Sequence, residues 1–381
     1  MSLFPPKTLI PPKDNELEVT IFGPGYGESI VLHIPQIGWG IIDSCEYKTK
    51  NKSIVLPLEY LLNITTHPYP PLAFVILTHP HHDHCKGLDR ILREYPGGTT
   101  RVCRYDGDGI REWQAYKTKK DTALKKVIQG LGYAFDSIDK AVESGAQLRR
   151  LGDMTIVFNE NVNLRGYDST NIRMLALSPS AESIQEYTAM LQKAIPGVGQ
   201  PVLKMDDEGH NLVSVALLLE FGKLQIILGS DVETGSNNKT GWSGIISNQD
   251  CPSLWADLVK VSHHGSENGH NHSAWREFCK RGNPLSLVTP FRNGSVFLPK
   301  SSDVDRIKAV SQKVGVTNYI ELDSNLKRYY SRNVTNCIKN SVLIKSMKII
   351  KKPVHPGIIR VRYLPDGTVT ESLARPPSHW C

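Results

Sequence analysis

LAFVILTHPHHDH, residues 72–84, is the stretch on which the reading of this chain turns. Its first part, Leu72 to Leu77, is apolar and rich in β-branched and aromatic residues, the composition of a short buried strand. Directly after Thr78 come His79, His81, His82, Asp83 and His84. Four imidazoles and a carboxylate at a strand end make a poor core, but they are the ligand set that zinc and similar divalent ions select. In extended backbone alternate side chains point the same way, so His79 and His81 can hold one ion together. Asp83 and His84 fall at a helix entry, from which they can turn toward a second ion. Histidine-rich tracts also occur as solvated loops, but those have no buried strand in front and no amphipathic helix behind. Here Leu88, Ile91, Leu92 and Tyr95 recur at helical spacing, and Pro96-Gly97-Gly98 stops the pattern. A metal site is the expectation.

The order His-x-His-x-Asp-His after a strand is the signature of the metallo-β-lactamase superfamily, and the chain resembles that superfamily at further points along its length. LEVTIFGPGYGESIVLHI, residues 17–34, is similar to the opening hairpin of the branch that includes the competence protein ComEC. That hairpin has a glycine-rich turn ending in an acidic residue and serine, here Glu28-Ser29. WGIIDSC, residues 39–45, puts Asp43 where the superfamily has an aspartate at a strand end beside the site. HNLVSVALLLEFGKLQIILGSD, residues 210–231, is similar to the paired strands that lead to a bridging aspartate, here Asp231. LVKVSHHGS, residues 258–266, is similar to the last ligand motif, and its histidine pair followed by Gly-Ser is typical of the ComEC-like branch.

The resemblance implies an α+β fold, the αββα sandwich, with two divalent metal ions, zinc first and manganese second. His79, His81 and His210 would hold the first ion. Asp83, His84 and one of His263 and His264 would hold the second, with Asp231 between them. Val259 and Val261 put His263 on the apolar face of its strand, so His263 is the expected ligand and His264 the group nearer the substrate. Asp83 and Asp231 would orient the attacking water and accept its proton. Histidine and asparagine stand side by side at the third first-ion position, with His210 the expected ligand and Asn211 the alternative. The loop 293–299 has no histidine where the family often shows one, so the leaving-group acid is not assigned.

Composition sets outer bounds. Of 381 residues, 40% are hydrophobic, sufficient for a substantial core. No apolar run is long enough to span a membrane. The opening MSLFPPKTLIPPK has no apolar signal core and holds four prolines. Seven cysteines form no close pairs, which points to free thiols in a reducing compartment. A free-standing cytoplasmic protein is expected. Cys85, beside His84, is read as a small apolar residue packed under the motif. The net charge of +7 permits an anionic substrate. Lysines cluster at Lys117, Lys119, Lys120, Lys125 and Lys126 and again over 345–352, without the interleaved aromatics that stack on single-stranded bases.

Along the chain, positions 1–16 form a proline-rich arm and 17–300 the metallo-β-lactamase-like domain. Within the latter, 104–200 is read as a helical insert or lid. Positions 301–381 are a C-terminal extension with a helix near Val304–Lys313 and a hairpin, Gly357–Tyr363 and Thr368–Leu373. The expected activity is metal-dependent hydrolysis, with a phosphodiester, and within that class nucleic acid, as substrate. Hydrolysis of a thioester or lactone is the alternative, as is a non-catalytic, metal-retaining subunit of a larger assembly, since the same ions activate water for many bonds.

Overall fold

The computed structural model describes residues 9–49, 51–107, 109–111, 125–194, 207–294, 296–318, 356–375 and 378–380. The side chains of both lysine-rich stretches lie outside these.

Short apolar segments set the plan. The chain opens with β1 (Leu17–Phe22), β2 (Ser29–Ile34), β3 (Gly38–Ile42) and β4 (Phe74–Leu77), followed by β5 (Arg101–Tyr105) and β6 (Gln147–Leu151). Then come β7 (Thr155–Asn163), β8 (Ser169–Ala176), β9 (Leu217–Phe221), β10 (Leu224–Leu228), β11 (Leu258–Lys260), β12 (Leu285–Val288) and β13 (Lys313–Val316). The chain closes with β14 (Ile358–Tyr363), β15 (Val369–Arg375) and β16 (His379–Trp380). They form two eight-stranded sheets, β15-β14-β1-β2-β3-β4-β5-β6 and β16-β13-β12-β11-β10-β9-β8-β7.

Leu217, Leu219 and Phe221 of the second sheet share one buried core with Val19, Ile21 and Val31 of the first. The alternate residues Leu218, Ile227 and Val259 face the other way. They pack with Trp242 of α6 (Gly241–Ser247), Trp275 and Phe278 of α7 (His272–Phe278), and Ile307 of α8 (Ser301–Ala309). Burial on both faces explains why β9 and β10 are apolar at almost every position. On the outer side of the first sheet, Tyr60 of α1 (Leu56–Ile64) meets Phe22 edge-on at 5.4 Å. The architecture is thus an α+β sandwich in four layers, αββα. No helix among the described residues is long and apolar enough to cross a membrane.

Both the segment 104–200 and the C-terminal segment contribute strands to the sheets. Positions 104–200 supply β6 to the first sheet and β7 and β8 to the second. The described helices there include α4 (Lys125–Glu143) and α5 (Ala181–Ala194). After residue 300, β13 extends the second sheet and α8 packs on its outer face. The C-terminal hairpin pairs antiparallel with β1, Val19 opposite Val361, and so forms one edge of the first sheet.

Candidate metal centre

Both sheets change from antiparallel to parallel pairing partway across. β3, β4, β5 and β6 run parallel, and so do β10, β11, β12 and β13. Parallel strands place all their carboxyl ends on one edge, where open α/β sheets carry their sites. Asp43 follows β3, the histidine motif follows β4, Asp231 follows β10 and the histidine pair follows β11. Asp43, Ser230, His263 and His264 have φ of 57°, 44°, 46° and 53°, the left-handed region that non-glycine residues avoid. Strained backbone concentrated at one edge is the pattern of a functional site.

One group forms around His79. Its Nε2 stands 3.0 Å from His81 Nδ1 and 3.7 Å from Asp231 Oδ2. The His210 ring lies 5.2 Å from that of His81, and its Nδ1 is 2.9 Å from the Tyr187 hydroxyl on α5. A second group forms around His84, which belongs to the single turn α2 (His82–Cys85). His84 Nε2 is 3.3 Å from Asp231 Oδ2, and His264 Nε2 is 3.5 Å from the same oxygen and 3.3 Å from Asp83 Oδ2. Tetrahedral ligands around zinc stand about 3.4 Å apart, given bonds near 2.1 Å. The observed separations bracket that value. His84 Nε2, His264 Nε2 and Asp231 Oδ1 are buried without a hydrogen-bond partner, a costly arrangement unless a cation satisfies them. The residues fit a divalent metal ion in each group.

A further layer aims these ligands. Asp43 Oδ2 is 2.8 Å from His84 Nδ1 and accepts from Thr78 Oγ1 at 2.7 Å, while Thr78 N donates to Oδ1 at 2.8 Å. His264 Nδ1 donates to the Thr289 carbonyl at 2.9 Å, which leaves Nε2 bare for a ligand bond. Glu28 stands 3.5 Å from that same Nδ1, accepts from Thr289 Oγ1, and pairs with Lys260 across the two sheets. Its backbone N–H also donates to the Asp83 carbonyl at 3.1 Å. This approach requires Gly27: φ is +87°, and a Cβ there would sit 2.6 Å from the Asp83 oxygen.

Electrostatics divide the two groups. Burial holds the pKa values of His79 and His210 well below the ordinary imidazole value, and neighbouring imidazoles add to the effect. Burial acts the same way on His84 and His264, but there the carboxylates outweigh it. Asp231, Asp83 and Asp43 push His84 up, and Asp231, Asp83 and Glu28 push His264 up to about 10. Asp231 in turn is held low, because His264 and His84 overcome its burial.

The structure brings together His79, His81, Asp83, His84, Asp231 and His264, with His210 alongside. Asn211 turns away from the first group: its Nδ2 donates to Glu233 Oε1 at 2.8 Å and faces His263 Nε2 at 3.3 Å. His263 joins neither group. Its Nδ1 is 2.9 Å from Asn268 Oδ1, and its side chain is 16% exposed against 3% for His264. The histidine pair is therefore placed opposite to the expectation. Val259 packs on the helix-covered face and Leu258 in the core between the sheets, but the left-handed φ of His263 and His264 breaks this alternation, and His264 is the one that turns to the ligand group. Cys85 is buried beneath the motif and belongs to neither group. Sequence reasoning assigned no role to Glu28, Lys260, Thr78 or Tyr187. The one available signal was Lys260, a charge inside an otherwise apolar strand.

No family model and no curated protein matches the chain. Two solved structures that resemble it are the long form RNase Z from yeast and Zn(2+)-bound PqqB from Methylobacterium extorquens. The first is 10% identical with a TM-score of 0.34, and covers 72% of this chain and 37% of its own. The second is 11% identical with a TM-score of 0.38, over 78% of this chain and 97% of its own. By its own topology the chain is an α+β sandwich in four layers, αββα, whose parallel strand ends bring the candidate ligands to one edge. Within that fold the centre has the donor set and the spacing to hold divalent metal.

Proposed function

We propose that this chain is a hydrolase that uses two divalent metal ions, zinc or manganese, to cleave phosphodiesters. Asp231 carries the reading. Its Oδ2 stands 3.7, 3.3 and 3.5 Å from Nε2 of His79, His84 and His264, between the imidazoles of both groups. His79, His81 and His210 would hold the first ion, Asp83, His84 and His264 the second, and Asp231 would serve both. Bound there, two ions supply a water of lowered pKa and a positive pole for the developing anion. Asp83 and Asp231 would orient the attacking water and accept its proton. His263, steadied by Asn268 and Asn211, faces the substrate. The preference for phosphodiesters draws support from the ComEC-like order of motifs and from the net charge of +7.

The test is metal analysis joined to a substrate screen. Two ions per chain after repletion with zinc or manganese are expected, with turnover of bis(p-nitrophenyl) phosphate. His264→Ala should lose the second ion, and His263→Ala should keep both while slowing turnover. Activity confined to thioesters or lactones would replace the phosphodiester reading, and the reverse behaviour of the two histidine variants would undo the ligand assignment.

A further inference from the structure

A cleft of 610 Å³ opens beside the centre. Part of its wall directly follows the ligands in the chain, Asn211 after His210 and Val232 and Glu233 after Asp231, and Asn268, the partner of His263, joins them. Helix α5 closes the far side with Ser183 and Glu186. The volume is that of a small-molecule site.

The lining has a consistent character. Eight of the sixteen described lining residues carry a hydroxyl or an amide, two are glutamates, and none is lysine, arginine or histidine. Proteins that hold a polyanion meet its phosphates with lysine, arginine or backbone N–H donors. Here a second phosphate would face Glu186 and Glu233 instead, without a cationic partner among those residues. Carboxylates and amide oxygens accept hydrogen bonds, so the matching group donates them.

Building on the proposed phosphodiesterase reading, we infer that the cleft binds one ester arm of a small phosphodiester, and that this arm is non-anionic and rich in hydrogen-bond donors, such as an amine or a polyol. The phosphate sits at the ligand groups and the arm lies in the cleft. Water oxygen bonds to phosphorus, the P–O bond to the other alcohol breaks, and that alcohol leaves with its electron pair and is protonated. The arm stays esterified on the product monoester. The substrate class is thereby a small diester rather than a polynucleotide.

The experiment uses the full chain loaded with zinc and four p-nitrophenyl diesters that differ only in the arm: 2-aminoethyl, 2,3-dihydroxypropyl, propyl and 2-carboxyethyl. The first two should exceed the carboxyethyl ester in kcat/KM by about tenfold or more, the scale of one partly screened charge contact. Glu186→Lys should collapse that ratio, and Glu186→Gln should reduce it. Equal or faster turnover of the carboxyethyl ester overturns the inference, as does a single-stranded oligonucleotide cleaved faster than every small diester. If no diester is hydrolysed, the phosphodiesterase reading falls, and calorimetry with the zinc-loaded chain still judges the cleft. Tighter binding of 2-aminoethyl phosphate than of 2-carboxyethyl phosphate supports it, and equal or weaker binding rejects it.

Discussion

The two sides of the metal centre use the same imidazoles and support them differently. His79 and His210 are backed by hydroxyls: Thr78 Oγ1 lies 3.0 Å from His79 Nδ1, and the Tyr187 hydroxyl 2.9 Å from His210 Nδ1. His84 and His264 have carboxylates behind them, Asp43 at 2.8 Å and Glu28 at 3.5 Å. Burial keeps the first pair neutral, whereas carboxylates raise the second pair. A more basic imidazole beside ionised carboxylates grips a cation harder. The second side should accordingly bind the tighter, and among the described residues Asp231 is the one carboxylate of the first group.

The largest effect should come from removing what both sides share. Asp231→Ala is expected to release both ions and to lower activity at least about a thousandfold. Metal analysis of the purified variant checks this. Retention of the second ion would mean that the two sides are independent and that Asp231 does not bridge.

Next in size is the scaffold beneath the second side. Lys260 and Glu28 are both buried and pair between the sheets. Lys260→Met leaves the buried Glu28 without its lysine partner, which should cost about 3–5 kcal/mol in urea unfolding. Glu28→Gln together with Lys260→Met should recover most of the loss, because no uncompensated charge then remains. Additive losses in the double variant would show that the pair does not act as a unit.

This asymmetry also explains what could be read before folding. His79, His81, Asp83 and His84 lie within six residues, so their chemistry was visible as a local cluster. Asp231 and the histidine pair became candidates only through the order of motifs, since sheet assembly brings them to the same edge. His264 was passed over for a physical reason. Alternation assumes one apolar face, yet β11 is buried on both, and the chain leaves extended geometry at His263. The pairing of Glu28 with Lys260 was not legible, because a charged residue reads as exposed until its partner from the other sheet is known. The strands within 104–200 were recognisable as strands, but nothing local told which sheet each would join.

Acidity separates the empty and loaded forms. Without metal, His264 has its pKa raised from the ordinary 6.5 to about 10, so its protonation adds stability that is full below 6.5 and fades as pH climbs toward 10. Asp231, held below its ordinary 3.8, adds stability that is present above that pH and is lost in stronger acid. The Tm of metal-free protein should therefore fall from near-neutral pH into alkali. Metal binding requires bare imidazole, so the loaded form should gain over the same range. Parallel Tm curves for the two forms would contradict the ligand role of His264.

The smallest expected effect tests the weaker side directly. Tyr187 is buried on α5, and its hydroxyl is the group facing His210 Nδ1. If His210 Nε2 faces the first ion, Nδ1 carries the proton and donates it to the tyrosine oxygen. Loss of such an outer partner typically costs about 10–100-fold in metal affinity, and a neutral hydroxyl belongs at the lower end. Tyr187→Phe should thus weaken the first ion about tenfold and leave the second in place. Asp43→Asn, the corresponding change behind His84, should weaken the second ion by nearer a hundredfold. Stepwise titration with a competing chelator, followed by the visible spectrum of cobalt-substituted protein, resolves the two ions. Equal losses in the two variants would remove the distinction between hydroxyl and carboxylate support. If Tyr187→Phe changes nothing while Asn211→Ala frees the first ion, then His210 is not its ligand, and α5 covers the centre without holding any part of it.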